Sequence, residues 1–443
     1  MSTANAVDIP QALISRYTRI GASRRSDSVF SADSGVDADE FASALSAPDS
    51  DNASPVTLYV HLPFCPVRCL NCDNNTTVTH DPAEVDRYLD MLEREIALVA
   101  SAIGSGRRVQ QLHVGGGSPN YLSDRQLVRL MSLLDRRFTI AADTETSLDA
   151  NPNRTSPSQL ALLHGLGFRR ITFGVRDLDP TVQLAIGRVN SLDMIRDVFA
   201  TARDTGFDSV TTDVMYGLPR QNEASIERTV ENLLDIAPDR IACFAYTRRI
   251  VDRGHQRAID PCEMPSLADK LALFNGIVQG LSPDYTWVGL DCFAKAGDAL
   301  CDAQSEHRLR KNWIGYTHQP ASDIHGFGTN AISELQGLCV QNHLELAPWQ
   351  TSVSKGMFPI RGGVRLSDRE RRRRDALVAL TCNMELRDYT ALFDPTEGPS
   401  SSWSGYARDG LLSITPDCMT ITPQGRYMLH ELLCARPEGL AGL

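Results

Sequence analysis

Three cysteines, Cys65, Cys69 and Cys72, lie within eight consecutive positions of this 443-residue chain. They follow an apolar run, residues 56–60, whose composition is typical of a β-strand. A single cysteine is most often a small buried hydrophobe. Three cysteines in one loop indicate a set of ligands for a soft metal centre, which could be zinc or an iron–sulfur cluster.

The spacing favours the cluster over zinc. Structural zinc normally takes four protein ligands, and the chain has no second cysteine pair, which leaves only His61 or His80 as a fourth ligand. A three-cysteine loop instead leaves one iron of a four-iron cluster without a protein ligand. A substrate or cofactor could bind that open iron. Zinc remains the alternative.

Other residues that could do chemistry follow the predicted strands. The glycines in the run Gly-Gly-Gly-Ser-Pro at 115–119 would let the backbone approach a small charged ligand group, although no phosphate-loop Lys follows. Tyr59 and His61 share one face of the first strand. In a parallel sheet the strand ends form the mouth of the site, where carboxylates could hold ribose hydroxyls. Four polar residues are placed for this role, although each could also cap a helix or form an ion pair: Asp149, Arg176, Arg188 and Asp213.

Alternating strands and helices must position these residues. Helices are predicted at Ala83–Ser101, Asp124–Arg137, Ser156–Gly165, Leu192–Thr205 and Glu223–Ile236. Six strands are predicted at 56–61, 108–114, 144–149, 169–174, 208–214 and 239–246. Right-handed crossovers between such strands predict an α/β fold with a parallel sheet that curls into a partial (β/α)6 barrel.

The chain divides into three predicted parts. Residues 1–53 are rich in Ser, Ala and Asp and predict an N-terminal arm with short helices at Ile9–Tyr17 and Ala38–Leu45. Residues 54–350 form the predicted catalytic domain. Residues 351–443 form a mainly helical C-terminal domain, in which a capping box opens a helix at Ser367. A hairpin over Leu411–Thr422 makes this domain winged-helix-like.

Composition narrows the functional classes. The content of 42% hydrophobic and 22% charged residues is ordinary for a globular protein, and the net charge of −11 disfavours a nucleic-acid surface. The other eight of the eleven cysteines are dispersed, which favours a reducing compartment over a disulfide framework. No apolar run is long enough to span a bilayer and the start lacks a signal-peptide pattern, so a cytoplasmic location is expected.

With these residues in hand, the chain resembles the oxygen-independent coproporphyrinogen III oxidases, radical S-adenosylmethionine enzymes of haem biosynthesis. The resemblance runs from about Leu13 to Tyr427 and includes the accessory C-terminal part. It rests on Y-V-H-L-P-F-C at 59–65, Q-L-H-V-G-G-G-S-P-N-Y-L at 111–122, G-F-R-R-I-T-F-G-V at 167–175, D-V-M-Y-G-L-P at 213–219, D-R-I-A-C-F-A-Y at 239–246, N-W-I-G-Y-T-H-Q at 312–319 and C-N-M-E-L-R-D at 382–388.

The resemblance implies a radical-SAM barrel in which Cys65, Cys69 and Cys72 bind a 4Fe-4S cluster whose open iron is chelated by S-adenosylmethionine. It implies that a 5′-deoxyadenosyl radical converts two propionates of a tetrapyrrole to vinyl groups with loss of carbon dioxide. A flavodoxin- or ferredoxin-type electron donor, one or two adenosylmethionine molecules and a monomeric enzyme are also implied. No catalytic side chain is assigned. By position, the adenosylmethionine contacts fall on Tyr59, Asn71, Gly116, Gly117, Ser118, Asp149, Arg176, Arg188, Asp213, Thr247 and Ile332.

Several positions depart from the family pattern. Asn71 stands where an aromatic residue is usual, Asp73-Asn74 where Gly-Cys is common, Asp149 where Glu is found and Arg176 where Gln is found. The same scaffold also serves radical methyltransferases and cyclopropane-forming enzymes, which are a second hypothesis. A non-catalytic haem- or cluster-binding relative is a third.

Overall fold

The structure is a computed structural model, and it describes residues 13, 35–46, 54–104, 106–251, 253–319, 323–335, 337–392 and 401–428. The predicted N-terminal helix at Ile9–Tyr17 therefore lies outside the described residues, apart from Leu13. The second predicted helix is confirmed as α1, Ala38–Leu45, which is capped by the Asp37 carboxylate. No helix among the described residues is both long and apolar enough to cross a membrane.

Strands and helices alternate through the first part of the chain. They are β1 (Val56–Leu62), β2 (Phe64–Cys65), β3 (Thr77–Val78), α2 (Pro82–Ile103), β4 (Arg107–Gly116), α3 (Asp124–Asp135), β5 (Phe138–Thr139), β6 (Glu145–Ala150), α4 (Pro157–Gly165), β7 (Arg170–Arg176), α5 (Pro180–Ala185), α6 (Leu192–Thr205), β8 (Ser209–Tyr216), α7 (Glu223–Ile236) and β9 (Arg240–Ala245). The six predicted strands and their helices are confirmed.

Six of these strands form the parallel sheet that the pattern predicts. They lie side by side in the order β1, β4, β6, β7, β8, β9, and every neighbouring pair is parallel. Because the six strands are parallel, all their carboxyl ends meet at one edge of the sheet. Side chains fix where the connecting helices begin: at the start of α3 the Ser123 hydroxyl accepts from the backbone N–H of Gln126, and the Gln126 side chain accepts from the Ser123 N–H in return.

The rest of the chain extends this sheet and adds a C-terminal unit. Its elements are α8 (Leu267–Leu281), β10 (Tyr285–Val288), β11 (Cys292–Lys295), α9 (Ala299–Ser305), β12 (Arg310–Lys311), β13 (Tyr316–Thr317), β14 (Asp323–Phe327), β15 (Ile332–Leu335), β16 (Leu338–Asn342), α10 (Leu346–Ser354), β17 (Ile360–Arg365), α11 (Asp368–Asn383), β18 (Glu385–Leu386), α12 (Ser401–Arg408), β19 (Leu412–Ile414), β20 (Met419–Ile421) and α13 (Pro423–Tyr427).

Strands at both edges enlarge the barrel beyond the six predicted strands. β14 pairs in parallel with β1, followed by antiparallel β15, β16 and β17, while β11 pairs antiparallel with β9. The predicted division between residues 350 and 351 falls inside α10, and β17 is a strand of the main sheet. We therefore propose that the C-terminal unit begins near residue 366, and the division at 53/54 stays a prediction.

The C-terminal unit packs around a small core and is attached to the barrel by polar contacts, among them those of Arg426. β19 and β20 form the predicted hairpin and pack with α11 and α12 through residues such as Leu380, Trp403 and Met419. The Arg426 guanidinium donates to the carbonyls of Trp287 and Gly289, at 2.6 and 2.9 Å, and lies 4.0 Å above the Trp287 ring. A buried cation with several acceptors fixes this contact.

A buried carboxylate joins α2 to the turn after β14. Glu95 is 1% exposed and accepts from the Gly328 N–H at 2.8 Å, the Asn342 amide at 2.6 Å and the Trp349 indole at 3.1 Å. Burial raises the pKa of Glu95 to about 7, and these three donors oppose the rise. The turn that leads into β15 is therefore held against α2.

Candidate cluster and adenosylmethionine site

The cysteine loop leaves the carboxyl end of β1 and is closed by its own backbone. β2 and β3 pair in parallel, the Thr77 N–H donates to the Pro63 carbonyl at 2.7 Å, and the Cys72 N–H donates to the Cys69 carbonyl at 3.2 Å. The three cysteines are half-buried free thiols. Burial raises the pKa of Cys72 to about 11, so a metal charge would be needed to keep this thiol as a thiolate.

The chemistry of this donor set fits an iron–sulfur cluster. The loop offers three free cysteine sulfurs, and cysteine thiolates are the usual protein ligands of such clusters. A four-iron cluster binds each thiolate through a different iron, so three cysteines leave one iron open.

The glycine-rich turn after β4 packs directly on the start of the cysteine loop. The N–H groups of Gly117 and Ser118 donate to the carbonyls of Leu62 and Phe64, at 2.8 and 3.0 Å. The Ser118 hydroxyl lies 3.5 Å from the Cys65 sulfur. A Cβ added at Gly117 would lie 2.7 Å from the Phe64 carbonyl oxygen, so only glycine fits this contact.

Gly116 is crowded by a side chain of β1, the His61 ring. Its φ of +109° favours glycine, and an added Cβ would lie 2.8 Å from the His61 ring. The Asn74 amide donates to the Gly116 carbonyl at 2.8 Å. The asparagine that departs from the family pattern therefore ties the outer part of the cysteine loop to the glycine-rich turn.

Aromatic and imidazole side chains line the adjoining strands. Tyr59 stacks on His113, with ring centroids 5.8 Å apart. His113 in turn lies 2.8 Å from the Ser147 hydroxyl and 3.5 Å from the Asp149 carboxylate. The candidate residues Tyr59 and Asp149, on β1 and β6, are thus joined through β4.

His61 holds Tyr59 from the other side. Its Nε2 lies 3.0 Å from the Asn75 carbonyl, which can only accept, so we assign the ring proton to Nε2. Nδ1 then accepts from the Tyr59 hydroxyl at 3.0 Å. Burial lowers the pKa of His61 to about 4, although the hydrogen bond to Asn75 opposes this. The neutral ring therefore positions the tyrosine hydroxyl.

This assignment predicts how stability depends on pH. The lowered pKa of His61 means that its stabilising effect is complete above about pH 6.5 and is lost as pH falls toward 4. Going from about pH 7.5 to pH 5 should cost about 2 kcal/mol of unfolding free energy through His61 alone. His61→Gln keeps a donor and an acceptor but cannot titrate, so its loss of stability over this range should be smaller than that of the wild type.

Denaturant unfolding of the two proteins at both pH values measures this difference. His325, whose pKa burial lowers to about 3, is present in both chains and cancels. Equal losses of stability in wild type and His61→Gln would contradict a neutral, buried His61.

A second group of candidate residues lies on β7, β8 and the segments that follow β7 and β9. Arg176 pairs with Asp213 at 2.5 Å, and Arg188 lies 3.5 Å from the Cys69 sulfur. Burial raises the pKa of Asp213, and the Arg176 charge opposes the rise. Three buried atoms of this group have no hydrogen-bond partner among the described residues: Arg188 Nε, Asp213 Oδ1 and Thr247 Oγ1. Buried polar atoms are rarely left unpaired, so this group fits a polar ligand.

The last two candidate residues differ in what surrounds them. Asn71 is buried, and its amide lies 3.4 Å from the Met215 sulfur on β8. Ile332 is half-buried at the start of β15, with its backbone against Gly326 of β14. Asn71 thus faces the second group of candidates, whereas Ile332 lies on the β1 side, because β14 is the neighbour of β1.

Sequence reasoning missed the residues that support the cysteine loop from the segment after β9. The short 3-10 helix Gly254–Ala258 follows β9, and Gln256 donates from its side chain to the Cys72 carbonyl at 3.1 Å. His255 Nε2 donates to the same carbonyl at 2.8 Å, and Arg253 donates to the Asp73 carbonyl at 2.7 Å. These contacts span about 180 residues of sequence, so no local pattern indicates them.

Comparisons with known proteins agree with this geometry. Residues 59–233 match the family model of the Radical SAM superfamily. The oxygen-independent coproporphyrinogen III oxidase of Synechocystis is 34% identical over 86% of this chain and 84% of its own length. The enzyme of the same name from Escherichia coli is 33% identical over 85% of this chain and 84% of its own length.

Comparison of the three-dimensional fold indicates the same family. The solved structure of coproporphyrinogen III oxidase from Escherichia coli, described as a radical SAM enzyme, superposes with a TM-score of 0.87 at 32% identity. The match covers 97% of this chain and 99% of that structure. The cofactors that go with the superfamily are a 4Fe-4S cluster and S-adenosylmethionine. By sequence and by fold, this chain belongs to the oxygen-independent coproporphyrinogen III oxidase family of radical SAM enzymes.

Proposed function

We propose that this chain catalyses the oxidative decarboxylation of two propionate side chains of coproporphyrinogen III, which gives protoporphyrinogen IX. The names of the relatives that match more than four fifths of the chain support the substrate. The observation that carries the proposal is the direct contact between the three-cysteine loop and the glycine-rich turn at the carboxyl edge of the barrel. The location fits the general position of active sites in such folds.

The resemblance to the family supplies the proposed cofactor ligands, and the geometry of the loop and strand ends supports them. Cys65, Cys69 and Cys72 would hold three irons of the cluster and leave the fourth open. When bound, the cluster and adenosylmethionine supply the one-electron cleavage that produces the 5′-deoxyadenosyl radical. The residues that would contact adenosylmethionine are Tyr59, Asn71, Gly116, Gly117, Ser118, Asp149, Arg176, Arg188, Asp213, Thr247 and Ile332.

The two groups of polar residues would have separate tasks. On the β1 side, Tyr59 is oriented by neutral His61 and offers a fixed hydroxyl. The Asp149 side chain is 44% exposed to solvent, and its carboxylate could bind a ribose or an ammonium group. On the β8 side, Arg188 and Asp213 supply a cation and an anion with unpaired buried atoms. The glycine-rich turn contributes close backbone contact.

The number of adenosylmethionine molecules, one or two, stays a prediction. The two groups adjoin, because Asp149 on β6 and Arg176 on β7 belong to neighbouring strands. Equilibrium dialysis of the reconstituted enzyme measures the number of molecules bound per cluster. Two molecules would give each group its own ligand, whereas one would show that both groups serve the same molecule.

An electron donor, a compartment and an oligomeric state complete the proposal. The radical reaction needs an external electron, for which a reduced flavodoxin- or ferredoxin-type protein is the proposed source. The ten described cysteines are free, which supports a reducing compartment such as the cytoplasm. A monomeric state stays a prediction that light scattering can test.

Anaerobic turnover tests the proposed function directly. The reconstituted wild-type enzyme with coproporphyrinogen III, adenosylmethionine and a chemical reductant should release two molecules of carbon dioxide for each protoporphyrinogen IX formed. Formation of 5′-deoxyadenosine without carbon dioxide, together with S-adenosylhomocysteine or methylthioadenosine, would instead indicate methyl or methylene transfer. Haem binding without cleavage of adenosylmethionine would indicate a non-catalytic relative.

A further inference from the structure

Four basic residues form a rim beside the cysteine loop, and the proposed cofactor ligands do not include them. We call Arg68, Arg248, Arg253 and His255 the basic rim. We propose that the basic rim binds propionate carboxylates of the substrate and so positions the macrocycle; this inference rests on the proposed function. Arg68 comes from the cysteine loop itself, and the other three come from the segment that follows β9.

Backbone contacts hold the basic rim against the loop. Arg253 donates through Nε and a terminal nitrogen to the Asp73 carbonyl, at 2.9 and 2.7 Å. His255 donates to the Cys72 carbonyl at 2.8 Å. Arg68 and Arg253 both lie close enough to His255 to act on its ring electrostatically. The rim therefore places three arginine cations and a histidine N–H donor beside the cysteine loop.

Arg248 is the member of the rim with the most donor capacity left. Its Nε donates to the Gln256 carbonyl at 3.0 Å, and the Gln256 side chain donates to the Cys72 carbonyl. Its two terminal nitrogens have no hydrogen-bond partner, and it has no ion-pair partner, among the residues for which the structure gives positions. The contact of Nε thus orients Arg248, and its two terminal nitrogens stay available for a bidentate contact with a carboxylate.

Tyr246, two residues before Arg248, also has an unmatched polar atom. Its hydroxyl is buried and has no partner within the described ranges. Tyr246 lies close enough to Arg248 to be affected by its charge. A cation with free donors near an unpaired buried hydroxyl favours a polar ligand at this position.

The chemistry of the proposed substrate fits this rim. Coproporphyrinogen III carries four propionates, and a polyanion is repelled by a chain whose net charge is −11. A local cluster of cations beside the cysteines overcomes that repulsion at the point where the reaction must occur. Carboxylates held at the rim keep the rest of the macrocycle beside the cysteine loop.

Two variants of Arg248 test the inference in the full-length reconstituted enzyme. Arg248→Gln should weaken binding of coproporphyrinogen III by about tenfold or more, because a charge-assisted hydrogen bond is lost. Arg248→Lys keeps the charge and should restore part of the affinity. Cluster absorption and the slow cleavage of adenosylmethionine without substrate should equal those of wild type. Arg196→Gln, an exposed arginine of α6 paired with Asp235, is the matched control and should bind normally.

The outcomes separate this inference from the proposed function. Failure of the wild type to bind or decarboxylate coproporphyrinogen III would refute the proposed function. A wild type that turns over, with unchanged affinity in Arg248→Gln, would refute the basic rim alone. Loss of the cluster in Arg248→Gln would also overturn the inference, because it would make Arg248 a support of the loop.

Discussion

Replacement of Cys69 by alanine is expected to abolish the iron–sulfur cluster and, with it, all cleavage of adenosylmethionine. Cys69 is the central cysteine of the loop, and its sulfur lies 3.5 Å from the Arg188 guanidinium. With two cysteine thiolates left, two of the four irons of the cluster would have no protein ligand. Anaerobic reconstitution followed by iron analysis and visible absorption should show no cluster, and 5′-deoxyadenosine should fall below detection.

Cys262→Ala is the matched control because Cys262 is an exposed thiol outside the loop. This variant should retain four irons per chain and wild-type turnover. A Cys69→Ala protein that still assembles the cluster would refute the assignment of the loop. One zinc per chain in the wild type, with little iron, would favour the zinc alternative instead.

Replacement of Gly117 by alanine is expected to impair adenosylmethionine binding while the cluster still assembles. The added methyl would stand 2.7 Å from the Phe64 carbonyl and 2.8 Å from the Pro63 carbonyl. These atoms are backbone and cannot rotate away, so the turn must shift from the cysteine loop. Overpacking of this kind typically lowers the free energy of unfolding by about 1–3 kcal/mol. The shifted turn would also lose a hydrogen bond to the charged ligand, worth about 1.5–3 kcal/mol, which predicts a weakening of adenosylmethionine binding by about tenfold to hundredfold.

Gly165→Ala provides the control for Gly117→Ala. Gly165 ends α4, its φ is not in the left-handed region and an added Cβ would have no neighbour within 4 Å. Its adenosylmethionine affinity, measured by equilibrium dialysis, should equal that of the wild type. Wild-type affinity in Gly117→Ala would show that the close contact of turn and loop does not matter for binding.

The barrel could be predicted from sequence because its signals are local. Each of the six strands combines β-branched residues with a following helix, and helices such as Leu192–Thr205 match the structure at both ends. The edge strands β14 to β17 were not predicted. Their residues include several glycines, and antiparallel pairing between β16 and β17 depends on contacts that sequence periodicity does not encode.

The site was predictable as a set of residues but not as a set of contacts. The cysteines and the glycine-rich turn stand out through their spacing. The ion pair between Arg176 and Asp213, by contrast, joins side chains from two strands, and its geometry depends on a positive φ of 75° at Arg176. The roles of the candidate adenosylmethionine contacts stay predictions, because the structure gives their positions and not a bound ligand.

The support of the cysteine loop by His255 and Gln256 has a consequence for how the holoenzyme is made. During synthesis the N-terminal part of a chain leaves the ribosome first. The cysteines therefore emerge about 180 residues before the side chains that hold the carbonyl of Cys72. During that interval the nascent loop lacks these contacts to the Cys72 carbonyl. We expect the metal to be inserted after translation, once the barrel has folded.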